Sequence, residues 1–287
     1  MLTNVITCGV CPHACSLKEG AVGRCRARKH INDDRGDRII PVNYGIATSL
    51  ALDPIEKKPL NRFHPGSFIL SVGSFGCNLS CPFCQNHEIS TSDGTPFKSD
   101  DNRLGPDELV NIALNTQSRG NIGIAFTYNE PLIGYEYVLD CAKMAKDAGL
   151  KTVLVTAGCV NRPIAEKVLP YIDALNIDLK SFRSDIYKNI LGGDLDTVKA
   201  FIEEAVKTSH VELTTLIVPG MNDSDEEMNE ICEYILSLEG GSDIPLHISR
   251  FFPRHKMTDR YPTDVSRILK LAELAGRKLN YVYPGNI

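Results

Sequence analysis

The stretch from Ser74 to Asn86 reads SFGCNLSCPFCQN and brings Cys77, Cys81 and Cys84 close together in the chain. It follows the apolar run Phe68–Val72, which has the composition of a buried strand. We therefore expect the cysteines in a loop at the C-terminal end of that strand. Three thiolates on a four-iron cube leave one iron without a protein ligand, and a small molecule can coordinate there.

The chain after residue 67 alternates between short apolar runs and longer amphipathic segments. The runs predict buried strands at Phe68–Val72, Ile122–Phe126, Thr152–Val155, Ala174–Ile177, Val211–Val218, Pro245–Ile248 and Leu279–Val282. Alternating strands and helices predict an α/β fold with a parallel sheet. No glycine-rich dinucleotide fingerprint follows a strand. We expect an incomplete (β/α)6 barrel over residues 67–287, preceded by a cysteine-rich N-terminal module and connector over residues 1–66.

Composition narrows the classes of function. The chain has 287 residues, 43% of them hydrophobic and 23% charged, and a formal net charge of -5. A mildly acidic protein gives no electrostatic reason to expect nucleic-acid binding. We expect neither a signal peptide nor a membrane span, and hence a cytoplasmic protein. Seven of the ten cysteines fall in two tight groups, which favours metal ligation over disulfides in a reducing compartment.

The Cys-x3-Cys-x2-Cys spacing, with Phe83 before the last cysteine, resembles the signature of the radical S-adenosylmethionine superfamily. The stretches Asp53–Leu60 (DPIEKKPL) and Thr127–Pro131 (TYNEP), with the N-terminal Cys-x2-Cys-Pro pattern, resemble the branch called the AmmeMemoRadiSam system radical enzyme. That branch is similar to pyruvate formate-lyase activating enzymes. A structural zinc site completed by His87 is the alternative for the cysteine loop.

The resemblance implies that Cys77, Cys81 and Cys84 hold a [4Fe–4S] cluster whose open iron is chelated by S-adenosylmethionine. An electron from a reducing partner such as flavodoxin or ferredoxin then cleaves the sulfonium to a 5′-deoxyadenosyl radical, which abstracts hydrogen from a substrate. The cofactor carries this chemistry, and the protein must orient it and exclude competing reactions. No catalytic side chain is assigned.

The pocket must bind the ammonium, carboxylate and adenine groups of S-adenosylmethionine. The residues expected to do so are Phe83, Glu130, Thr156, Asp178, Lys180 and His247. By resemblance, Glu130 occupies the place of a Gly-Gly-Glu motif that binds the ammonium, with Tyr128 and Asn129 replacing the glycines. Five of these six residues also have an explanation that involves no ligand. Glu130 can be a solvated loop carboxylate, Thr156 part of a simple turn and His247 a core histidine, and Asp178 and Lys180 can form a surface ion pair.

A second group, Cys8, Cys11, Cys15 and Cys25, can close a structural zinc site or hold a second [4Fe–4S] cluster. The sequence leaves that choice open. A metal would offset the ordering entropy of a segment with few apolar residues.

Three functions remain open from the sequence. The first is a radical enzyme acting on an unidentified substrate. The second is an activating enzyme that acts on a glycine of a partner protein. The extra cysteines here precede the radical motif, which weakens this second reading. The third is a metal-stabilised binding protein without catalysis.

Overall fold

The computed structural model describes residues 4–287. Within that range the strands are β1 (Val5–Thr7), β2 (Ser16–Lys18), β3 (Arg28–Asp33), β4 (Gly36–Pro41), β5 (Ser49–Pro54), β6 (Phe68–Gly73), β7 (Asn121–Phe126), β8 (Lys151–Thr156), β9 (Ala174–Asp178), β10 (His210–Ile217), β11 (Leu246–Arg250) and β12 (Val282–Gly285). The α-helices are α1 (His87–Ser90), α2 (Pro106–Asn115), α3 (Tyr135–Asp147), α4 (Arg162–Val168), α5 (Ser184–Ile186), α6 (Leu195–Ala205), α7 (Asp225–Ser237) and α8 (Val265–Gly276).

One eight-stranded sheet carries the fold. Its strand order is β12-β11-β10-β9-β8-β7-β6-β5, and every neighbouring pair from β6 to β12 is parallel. The two end strands, β5 and β12, do not pair with each other in this order, so the barrel is open. An incomplete parallel barrel is the predicted fold class, and the sheet confirms it.

The predicted strands lie within two residues of the observed ones, except for the last. The apolar run Leu279–Val282 predicts a strand, but β12 begins only at Val282. Leu279 instead caps the end of α8, because its backbone N–H donates to Ala275 O at 2.9 Å and its side chain is buried. That residue marks a helix end packed on the core.

The edge strand β5 lies in the connector and was not predicted. It pairs antiparallel with β6 along its whole length, from Ser49 opposite Gly73 to Pro54 opposite Phe68. The division at residue 66 into two domains remains a prediction.

The N-terminal module consists of two small antiparallel hairpins, β1–β2 and β3–β4. A partly buried ion pair between Arg28 and Glu136, 2.6 Å long, joins β3 to α3. Gly76 has φ +85°, and a Cβ there would lie 2.5 Å from Cys25 O. Glycine is thus required where the module meets the cysteine loop.

Among the helices of residues 4–287, none combines the length and the apolarity needed to cross a lipid bilayer.

Candidate active site

A cavity of about 550 Å³ lies at the C-terminal ends of the parallel strands. This size falls within the range of small-molecule sites, and the position is the one at which barrel enzymes place their chemistry. Its wall includes Cys77, Cys81, Phe83, Cys84, Tyr128, Glu130, Thr156, Asp178, Lys180, Thr214, His247 and Tyr283. The structure therefore brings together every residue predicted to bind the cluster or S-adenosylmethionine.

The cysteine loop follows β6 and presents its three free thiols to the cavity. Leu79 N–H donates to Cys77 Sγ at 3.4 Å, and Cys84 Sγ lies 3.4 Å from the Ser90 hydroxyl. Burial raises the pKa of Cys77, and it raises the pKa of Cys81 to about 11. A metal bound here must displace the thiol protons. Soft thiolates from one loop on a single wall fit an iron–sulfur cluster.

Hydrogen bonds to the body of the protein hold this loop in place. The Asn78 side chain donates to Cys159 O at 2.6 Å, and His13 Nε2 donates to Asn78 O at 2.8 Å. Ser80 N–H donates to Leu191 O at 2.7 Å. These hydrogen bonds to the rest of the protein fix the position of the loop, as a precise metal site requires.

Glu130 is buried at the end of β7 and joins two strand ends. Its Oε1 accepts from Leu132 N–H at 3.0 Å and from the Thr156 hydroxyl at 2.7 Å, and its Oε2 accepts from Ala157 N–H at 2.8 Å. Burial raises the pKa of Glu130, although these donors and the charge of Lys180 oppose the rise. The carboxylate is therefore an ordered part of the wall, unlike the solvated loop group of the alternative reading.

Asp178 and Lys180 follow β9 and form an ion pair, with Lys180 Nζ 2.9 Å from Asp178 Oδ2. Burial alone would disfavour the ammonium, but Asp178 outweighs burial and the pKa of Lys180 is raised. Lys180 stays charged within the cavity wall. The pair is partly buried, and both of its residues line the cavity.

His247 is a buried residue of β11 that also lines the cavity. Its ring stacks on Tyr283 with centroids 5.2 Å apart, and its Nε2 lies 2.6 Å from Glu212 Oε2. One ring nitrogen of His247 therefore already forms a hydrogen bond within the protein, to Glu212. Phe83 is buried, and its ring belongs both to the cavity wall and to the hydrophobic core.

Sequence reasoning missed a polar cluster formed by Asp53, Lys58 and Tyr128. Asp53 accepts from Lys58 Nζ at 2.9 Å and from the Tyr128 hydroxyl at 2.8 Å, and Lys58 Nζ lies 4.7 Å from the centre of the Tyr128 ring. Burial and the bond to Asp53 raise the pKa of Tyr128 to about 12. The charged residues of Asp53–Leu60 were the available signal, but the sequence did not show what they contact.

The backbone of Tyr128 is strained, with φ +73°. A Cβ at Gly73 would lie 2.7 Å from the Tyr128 ring, so glycine is needed opposite it. The Asn86 side chain donates to Tyr128 O at 2.7 Å and ties this strand end to the cysteine loop. Hydrogen bonds of its hydroxyl and its carbonyl thus hold Tyr128 in a backbone conformation that favours glycine.

The second cysteine group lies directly behind the cysteine loop. Cys77 N–H donates to Cys25 O at 3.2 Å, and Cys8 N–H donates to Cys15 O at 2.9 Å. Burial raises the pKa of Cys11 to about 11 and also raises that of Cys25. Within residues 4–287, no three His, Cys, Asp or Glu side chains stand at the spacing of a single-ion site.

Comparison with known proteins supplies the family. The profile of the Radical SAM superfamily matches residues 71–235. An uncharacterized protein of Methanocaldococcus jannaschii is 37% identical over 289 residues, covering 99% of this chain and 82% of that protein. The pyruvate formate-lyase-activating enzyme of Clostridium pasteurianum is 28% identical over 178 residues, covering 60% of this chain and 71% of that enzyme.

Solved structures share the fold. Streptococcus suis SuiB bound to S-adenosylmethionine matches with a TM-score of 0.54 and 15% identity, covering 74% of this chain and 48% of that one. At this identity the likeness concerns the fold alone.

Proposed function

Because the chain belongs to the radical S-adenosylmethionine superfamily, we propose that Cys77, Cys81 and Cys84 hold its [4Fe–4S] cluster and that the neighbouring strand ends bind S-adenosylmethionine. The protein is an enzyme of radical chemistry that uses these two cofactors. When bound, the cluster would supply one electron that cleaves the sulfonium into methionine and a 5′-deoxyadenosyl radical, which would take a hydrogen atom from a substrate. One observation carries the site assignment. Three thiols from one loop face the same cavity as the buried carboxylate of Glu130 and the partly buried ammonium of Lys180.

Glu130 is the proposed partner of the ammonium group of S-adenosylmethionine. Among residues 4–287, its Oε2 accepts one hydrogen bond, from Ala157, so acceptor capacity remains. A bound cation would also relieve the cost of keeping this carboxylate ionised in a buried place. Thr156 acts through Glu130, because its hydroxyl donates to Oε1.

Lys180 is the proposed partner of the carboxylate group of S-adenosylmethionine. Its ammonium lies partly buried in the cavity wall, and Asp178 orients it. A carboxylate arriving here forms a charge-assisted hydrogen bond. Phe83 and the stacked pair His247 and Tyr283 offer flat surfaces to the adenine or to the substrate.

Two classes of substrate are compatible with this site. The general candidate is hydrogen abstraction from a substrate that enters the cavity. The narrower candidate is activation of a partner protein by abstraction from one of its residues, which the activating enzymes among the relatives favour. We further propose a flavodoxin or a ferredoxin as the reductant and a reducing, cytoplasmic location, in keeping with ten cysteines that are all free.

The test is anaerobic reconstitution with iron and sulfide, reduction by dithionite, and quantification of 5′-deoxyadenosine formed from S-adenosylmethionine. We expect each of Cys77→Ala, Cys81→Ala and Cys84→Ala to lose the cluster and to abolish product. Cys232→Ala, which changes a buried helix cysteine far along the chain, is the matched control and should retain both. Full product from any of the three loop variants would contradict the cluster assignment. A colourless protein with stoichiometric zinc and no product would instead support the non-catalytic binding protein.

A further inference from the structure

A tight turn from Arg254 to Met257 lies against the outside of the cysteine loop. Lys256 N–H donates to Pro82 O at 2.9 Å, and Met257 N–H donates back to Arg254 O at 3.0 Å. The buried Met257 side chain anchors the turn in the core. Pro82 directly follows Cys81, so the surface of this turn stands one hydrogen bond and one peptide bond from a proposed cluster ligand.

The turn and the adjacent N-terminal module carry exposed cations beside this loop. Arg254 and Lys256 are exposed on the turn, and Arg24 is exposed where its guanidinium donates to the Ser80 hydroxyl at 3.2 Å. None of these three cations has an ion-pair partner among residues 4–287. A group of unpaired cations is notable on a chain whose formal net charge is -5.

We propose that Arg24, Arg254 and Lys256, the basic rim of the cysteine loop, form the docking surface for an acidic one-electron carrier protein. This inference rests on the proposed function, which requires an external electron. The carrier gives up one electron, and the cluster gains it before passing it to S-adenosylmethionine. A flavin carrier in its anionic hydroquinone form becomes the neutral semiquinone, so this step transfers one electron and no proton.

The position of the rim favours a carrier over a substrate as its partner. None of the three cations lines the cavity, so their charges are not placed to hold S-adenosylmethionine or a molecule beside it. Electron transfer needs only close approach to the cluster from outside. Transient electron-transfer complexes bury little surface and depend on charge for their rate of association. An exposed basic rim suits such an encounter.

The test compares two donors on the reconstituted holoenzyme. One donor is purified flavodoxin hydroquinone below saturation, and the other is photoreduced 5-deazariboflavin, a small uncharged molecule. The variants are Arg254→Glu and Lys256→Glu. The matched control is Arg119→Glu, which makes the same charge change at an exposed arginine just before β7, at the opposite end of the barrel.

At about 50 mM salt we expect Arg254→Glu and Lys256→Glu each to lower flavodoxin-driven formation of 5′-deoxyadenosine roughly tenfold. The loss should shrink to about threefold or less near 500 mM salt, because ions screen the attraction. With deazariboflavin the variants should match the wild-type chain, and Arg119→Glu should match it with both donors.

Two results would overturn the docking surface. An undiminished rate with flavodoxin would show that the rim plays no part in reduction. An equal loss with both donors would show that the rim serves the cofactor site or an anionic substrate. If the wild-type chain makes no 5′-deoxyadenosine with either donor, the proposed function itself fails.

Discussion

Glu212 is a buried carboxylate of β10 that holds the connector against the barrel. Its two oxygens accept from the backbone N–H groups of Asn61 and Arg62 at 3.0 and 2.7 Å, and from ring nitrogens of His210 and His247 at 2.9 and 2.6 Å. The side chain is fully buried. We expect Glu212→Gln to destabilise the fold markedly, because an amide cannot accept from four donors at once.

The magnitude follows from the pKa of Glu212. Burial alone would raise this pKa, but the donors outweigh burial and lower it from 4.5 to about 2. Each pKa unit corresponds to about 1.4 kcal/mol, so the ionised carboxylate contributes roughly 3 kcal/mol to folding at neutral pH. Because the folded pKa is the lower one, this contribution is complete above pH 4.5 and is lost as the pH falls towards 2. Glu212→Gln should therefore lower the unfolding free energy by about 2–4 kcal/mol at pH 7.

The assay is urea unfolding of the metal-free chain, so that loss of a metal in acid does not contribute to the measured pH dependence of stability. The difference between the wild-type chain and Glu212→Gln should be full at pH 7 and shrink below pH 4.5. Glu230→Gln, at an exposed glutamate of α7, is the control and should change stability by less than about 0.5 kcal/mol. Equal stability of Glu212→Gln and wild type at pH 7, or a difference that grows in acid, would refute the reasoning.

Three further perturbations address the site. Glu130→Gln should weaken S-adenosylmethionine binding about tenfold to hundredfold in an equilibrium titration, with iron content unchanged, because a charge-assisted bond becomes neutral; unchanged affinity would count against the ammonium assignment. Cys25→Ser should remove only the metal of the N-terminal cysteine group, which elemental analysis would detect as a loss of either one zinc or about four irons. A wild-type chain with no metal beyond the first cluster would refute the second metal site. Tyr128→Phe should lower the unfolding free energy by about 1–2 kcal/mol, since Asp53 loses a buried donor while the strained backbone remains; a variant as stable as wild type would show that the hydroxyl does not offset this strain.

Local patterns in the sequence were sufficient to predict most of the fold and to place three cysteines in one loop. Buried parallel strands are continuous apolar runs, so β6 to β11 were predicted from composition over a few residues each. Cys77, Cys81 and Cys84 lie so close in the chain that their spacing alone brings them to one loop. The prediction that a strand begins at Leu279 was wrong, because a helix end packed on the core and a buried strand both contain apolar residues.

Contacts between distant parts of the chain were decided only by the tertiary structure. Glu212 meets Asn61 across 151 positions, and no local pattern indicates which donors a lone carboxylate within a strand will find. The pairing of β5 with β6 depends on where the chain turns, and an exposed edge strand lacks the continuous apolar run of a buried one. Arg24 and Lys256 are far apart in the sequence and contact the same loop, at Ser80 and Pro82, only in the folded protein. Such contacts follow from how the whole chain packs, because their energies become available only once the intervening segments have folded.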